Sequence, residues 1–142
     1  MLGVIFSVLA GAAMSFQGVM NTRLGEKAGL LEANAFVQGT AFILSLAAML
    51  FFGNGSLKSV FSADKVYLLG GAVGLVITIT VMLAIRNLSP TVAISIILIA
   101  QLLTAAGIDS FGILGSEKVA FGLSKFIGIG LMIIGVIVFK MP

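Results

Sequence analysis

The chain contains neither cysteine nor histidine. That removes thiol chemistry, disulfides and the commonest transition-metal ligands, so no metal and no other cofactor is expected. It also leaves no redox signature from which to read a compartment. Charge is almost as scarce: Asp, Glu, Lys and Arg together make up 9% of the residues. The net charge of +3 is scattered rather than gathered in a block. Neither a nucleic-acid partner nor a polybasic lipid-binding tail is expected from such a pattern. No nucleophile and base stand in an evident constellation, so the chain does not read as an enzyme.

What fills the sequence instead is apolar. Of its 142 residues, 60% are hydrophobic, and the mean hydropathy is +1.25. Five stretches account for this: Leu2–Asn21, Glu32–Phe52, Val66–Ile85, Thr91–Ser110 and Phe121–Phe139. Each is close to the roughly 20 helical residues that cross a ~30 Å hydrocarbon layer. The expected fold is therefore all-α, a polytopic membrane protein of five transmembrane helices forming one domain over residues 1–142. Its first partner is the lipid bilayer. The first span lacks a positive n-region and exceeds a usual signal-peptide core, so it reads as an uncut helix.

The gaps read as short linkers at Thr22–Leu31, Gly53–Lys65, Arg86–Pro90 and Phe111–Ala120. Short connections make successive helices antiparallel neighbours. Pro90 suits the first turn of the fourth span, where no backbone donor is needed. Small residues mark places where helices can approach: Gly3, Ser7, Gly11 and Ser15 in the first span, Gly70 and Gly74 in the third, Gly128 and Gly135 in the fifth. The fifth span is the least polar, and its glycine face is the better candidate for a dimer contact.

Polar side chains inside the spans are the candidate functional residues, because hydrocarbon offers them no partner. Gln17 and Asn21 share a face near the end of the first span. Asn34, Gln38 and Ser45 share a face of the second. These two faces lie at one membrane depth and would line a vestibule for a small-molecule substrate. The alternative is interhelical hydrogen bonding that joins the two helices. Gln101 falls in the middle of the fourth span and Asp109 towards its end. A carboxylate there is a candidate for meeting a proton or a cation. A structural role, with water or Lys118 as its partner, is the other reading. Thr78 and Thr80 are expected to bond to their own helix carbonyls.

Several segments carry a family resemblance. Arg86-Asn87-Leu88-Ser89-Pro90-Thr91-Val92-Ala93, Gly115-Ser116-Glu117 and the glycine-studded run from Gly128 to Gly135 resemble the drug/metabolite transporter superfamily. Gln17-Gly18-Val19-Met20-Asn21-Thr22-Arg23-Leu24-Gly25 and the segment from Gln101 to Gly112 resemble its YdcZ-type family. That resemblance implies a small five-helix unit of the bacterial inner membrane, found alone or fused into ten-helix proteins. It implies transport, with substrates largely unassigned. Small multidrug members of the superfamily depend on a Glu in the first helix. This sequence has Gln17 and no acid in that span, so any proton coupling falls to Asp109 or the loop acids.

The basic residues add an expectation about assembly. Lys58, Lys65, Lys118 and Lys125 fall on the side of the N-terminus, and Arg23, Lys27, Arg86 and Lys140 on the other. Because basic residues are retained on the cytoplasmic side, an even split leaves no preferred orientation. Many transporters pair two inverted bundles around a central site. The chain is thus expected to be half of an inverted-repeat transporter, acting as an antiparallel homodimer by alternating access. Its cargo would be a small metabolite or amphipathic cation. A half-transporter needing a different, oppositely oriented partner and a non-transporting membrane scaffold are the rival readings. C-terminal reporter fusions should be active on both sides of the membrane, and two Lys added within residues 53–65 should drive one orientation. Wild-type reporters active on a single side would refute dual topology.

Overall fold

A computed structural model describes residues 1–119 and 122–141. It contains six α-helices: α1 (Leu2–Ala28), α2 (Leu30–Phe52), the single turn α3 (Leu57–Val60), α4 (Gly70–Asn87), α5 (Pro90–Phe111) and α6 (Leu123–Lys140). Short 3-10 turns at Tyr67–Leu69 and Ile113–Gly115 precede α4 and follow α5. Four helical stretches are long and apolar enough to cross a membrane: Leu2–Ala28, Leu30–Phe52, Tyr67–Asn87 and Pro90–Phe111. The remaining apolar stretch, Leu123–Phe139, is shorter. Phe121, the expected start of the fifth span, and Ala120, the expected end of the fourth linker, lie outside the described residues.

The main departure from the sequence reading is at the first linker. Residues expected to form a ten-residue connection continue α1 through Ala28, leaving Gly29 alone between two helices. The cause is local. Arg23, Leu24, Glu26, Lys27 and Ala28 are good helix formers, and Arg23 Nη1 lies 2.9 Å from Glu26 Oε2 one turn on. The charge that made this segment look like a loop is compatible with a helix that emerges from the bilayer.

Gly29 serves both helices at once. Its N–H donates to Gly25 O at 3.1 Å, closing α1, and its carbonyl accepts from the Ala33 N–H at 3.0 Å, opening α2. This requires φ 101° and ψ 150°, a combination open essentially to glycine alone. A Cβ here would also overlap the Glu32 carboxylate, which folds back over the joint. That carboxylate sits in the first turn of α2, where the helix dipole favours negative charge.

Two compact units result, Met1–Asn87 and Leu88–Pro142. In the first, α1, α2 and α4 each pack against the other two. Two glycines of α1 lie against side chains of α4. A Cβ at Gly18 would lie 2.9 Å from Ile85 Cδ1, and one at Gly25 would lie 2.6 Å from Met82 Cε. Of the other glycines named from the sequence, a Cβ at Gly74 would lie 4.0 Å from Gln38 Nε2, and Cβ atoms at Gly3, Gly11, Gly70, Gly128 and Gly135 would meet nothing within 4 Å. In the second unit α5 packs on α6. Pro90 opens α5 as expected, and the Ser89 hydroxyl caps it by accepting from the Val92 N–H at 3.4 Å. Gly112, at φ 64°, ends it in the left-handed conformation.

Large apolar side chains cover the outside of both units. Phe6, Leu50 and Phe139 are each more than 60% exposed. Such continuous apolar surface is matched to lipid. Gly29→Ala should destabilise the chain by about 1–3 kcal/mol through backbone strain, read from unfolding titrations in mixed micelles. Gly3→Ala and Gly11→Ala, which add a methyl group to open space, should stay within about 0.5 kcal/mol of wild type.

Candidate functional site

The first unit buries a small set of uncharged polar side chains, its polar centre. Among the described residues the buried polar side chains are Asn21, Thr22 and Asn34, at 6%, 5% and 2% exposure. Asn21 and Thr22 lie on α1 between Gly18 and Gly25, two positions where side chains of α4 press against this helix. Asn34 follows Ala33, whose Cβ lies 3.9 Å from the position of a Cβ on Gly25. Met82 and Ile85 of α4 complete the buried shell. Gly18, Asn21, Thr22 and Gly25 fall at i, i+3, i+4 and i+7, so one face of α1 presents the whole set.

The three polar groups differ in their bonding. The Thr22 hydroxyl donates to Gly18 O at 2.7 Å, which uses its proton and leaves its oxygen as an acceptor. The Asn34 Oδ1 is fully shielded and has no hydrogen-bond partner among the described residues. A shielded acceptor without a donor costs about 1–3 kcal/mol. Asn34 Oδ1 is thus an acceptor that a donor brought to it would satisfy.

The other candidates are placed as follows. Gln38 is half-buried on α2, and a Cβ at Gly74 would lie 4.0 Å from its Nε2, so this amide faces α4 one turn beyond Asn34. Gln17 and Ser45 are exposed. The first unit therefore draws Asn21, Asn34 and Gln38 towards its helix interfaces and leaves Gln17 outside. In the second unit Gln101 is exposed and Asp109 half-buried. No ion pair joins Asp109 to Lys118 among the described residues; the link there is through backbone, Val119 N–H donating to Asp109 O at 2.9 Å. A groove between α5 and α6, lined by Ile96, Ile99, Leu103, Ile133 and Val136, is apolar and offers no polar recognition. No cluster of potential metal ligands occurs among the described residues.

Two members of the centre escaped the sequence reading. Thr22 falls in the linker expected from the sequence, although it stands four residues after Gly18 and beside Asn21. Met82 carries no polar signal of its own, yet Gly74, Thr78, Met82 and Ile85 share one face of α4. Thr78 and Thr80 behave as expected, donating to Gly74 O and Val76 O at 2.8 Å each.

Polar side chains within an apolar, membrane-length bundle face the bundle interior rather than lipid. A model of the family described as "putative inner membrane exporter, YdcZ" matches residues 2–138. The chain belongs to this family. No curated protein and no solved structure matches it. Membership of the YdcZ family makes it a transmembrane transport protein of the inner membrane, in agreement with its apolar helices.

Within this YdcZ protein the half-buried carboxylate and the glycine contact between α1 and α4 should respond differently to substitution. Asp109→Asn should change stability by less than about 0.5 kcal/mol, because no ion pair is lost and the backbone bond is retained. Gly25→Leu should cost about 1–3 kcal/mol by driving α1 away from Met82. Thermal unfolding in detergent micelles measures both. A large loss in Asp109→Asn would mean that the carboxylate anchors the end of α5.

Proposed function

We propose that this YdcZ protein crosses the membrane five times and works as an antiparallel, dual-topology homodimer. It would export a small metabolite or amphipathic cation by alternating access. The observation that carries this reading is the uncharged polar centre of Asn21, Thr22 and Asn34 inside an otherwise lipid-facing bundle. Its depth matters. From Leu2 to Asn21 a helix rises about 30 Å, the thickness of the hydrocarbon layer. The centre therefore opens near the membrane face away from the N-terminus. An inverted second copy places its own centre near the opposite face. Exchange of conformation between the copies then alternates which centre is open.

The even split of Lys and Arg supports insertion in both orientations. The face of α6 bearing Ser124, Gly128, Gly135 and Val138 supports a pairing surface. Cβ atoms at both glycines would meet open space, so a second helix can approach there. Single Ser124→Cys and Val138→Cys variants, mixed and oxidised, should crosslink to each other across the dimer. The native chain supplies no competing thiol. Gly135→Leu should abolish that crosslink. Crosslinks confined to Ser124→Cys with itself and Val138→Cys with itself would make the dimer parallel and overturn the reading.

A further inference from the structure

The bonding state of Asn34 bears on what the polar centre recognises, an inference that rests on the transport reading and narrows its substrate class. Asn34 Oδ1 is shielded and unpartnered, and the Thr22 hydroxyl has already committed its proton to Gly18 O. Each keeps a free lone pair, and the shielded Asn34 oxygen is relieved only by a group that donates. Charge is the second constraint. No ionisable side chain is buried in this unit among the described residues. The nearest ionised groups on α1, Arg23 and Glu26, pair with each other at the surface, and Glu32 lies exposed over the Gly29 joint. A cation entering the centre would lose its hydration with no carboxylate to replace it. A neutral donor meets no such penalty. Access is compatible with this. Met82, whose Cε fills the space beside Gly25, is an unbranched side chain that can withdraw by changing rotamer.

We propose that Asn34 Oδ1 accepts a hydrogen bond from an uncharged N–H or O–H group of the substrate. The centre thereby selects neutral amide-, urea- or hydroxyl-bearing solutes over organic cations. A site whose acceptor stays unpaired with the wrong ligand discriminates against it strongly.

Three probes of one shape separate the terms: benzamide, a neutral donor; N,N-dimethylbenzamide, neutral without a donor; and benzamidinium, a cation with donors. Equilibrium dialysis and thermal unfolding of the full chain in lipid nanodiscs read binding without flux. Benzamide should bind about ten-fold more tightly than either analogue, the weight of one buried hydrogen bond. Asn34→Leu should lose that affinity while its ligand-free unfolding temperature holds or rises, because the unpaired acceptor is gone. Asn34→Asp should reverse the preference to benzamidinium, and this reversal keeps the test open if Asn34→Leu folds poorly. Absence of benzamide binding, equal binding of either analogue, undiminished binding by Asn34→Leu or no reversal in Asn34→Asp would each overturn the assignment. Benzamide binding without its flux in liposomes would overturn transport and leave the assignment standing. Flux of another solute without benzamide binding would do the opposite.

Discussion

The first unit depends on how closely α1 can lie against α4. Lipid supplies no hydrophobic drive for helices to associate, so packing contact has to supply it. Gly18 and Gly25 give that contact by removing side chains where Ile85 and Met82 press in. Everything polar in the unit follows from this approach. Asn21 and Thr22, lying between the two glycines, are carried out of the lipid and into the helix interface. Larger residues at either glycine would separate the helices and return these groups to hydrocarbon, where they have no partner.

The Gly29 joint fixes the second coordinate. With one residue between α1 and α2, the end of the first helix and the start of the second occupy one level of the membrane. Asn34, five residues beyond the joint, is thereby held about 4.5 Å nearer to it than Asn21, eight residues before it, and Gln38, nine residues beyond, reaches the level of Asn21 against α4. The polar centre is a product of two glycine constraints, one lateral and one axial. The outer surface, crowded with exposed Leu, Ile, Val and Phe, needs no such device because lipid receives it directly.

Membership of the YdcZ family places this architecture in the inner membrane as a transport protein. Its first helix has no acid, and its buried centre is made of amides and a hydroxyl. Electrostatic attraction is a long-range and indiscriminate force in a low-dielectric medium. Hydrogen bonding to a fixed acceptor is short-ranged and directional. On the proposal made above, a centre built from the second discriminates by the geometry of a donor rather than by the sign of a charge.

The sequence by itself determined the class of protein and the approximate extent of its helices. Span length against bilayer thickness is a local and strong signal, and so are Pro90 at a helix start and threonines bonding within their own turn. The same local reading failed at Thr22–Leu31, where charge suggested a loop although the residues favour a helix. It named Asn21, Asn34 and Gln38 as candidates together with Gln17, Ser45 and Gln101, and it had no means of separating them. In water, polar residues mark the outer face of a helix and so orient it. In lipid that rule is absent, because apolar residues occupy the outer and the inner faces alike. Only the tertiary approach of α1, α2 and α4 decided which side chains are buried. It enclosed Asn34 and left Gln17 outside, because burial is set by where a neighbouring helix lies, and periodicity within one helix does not encode that.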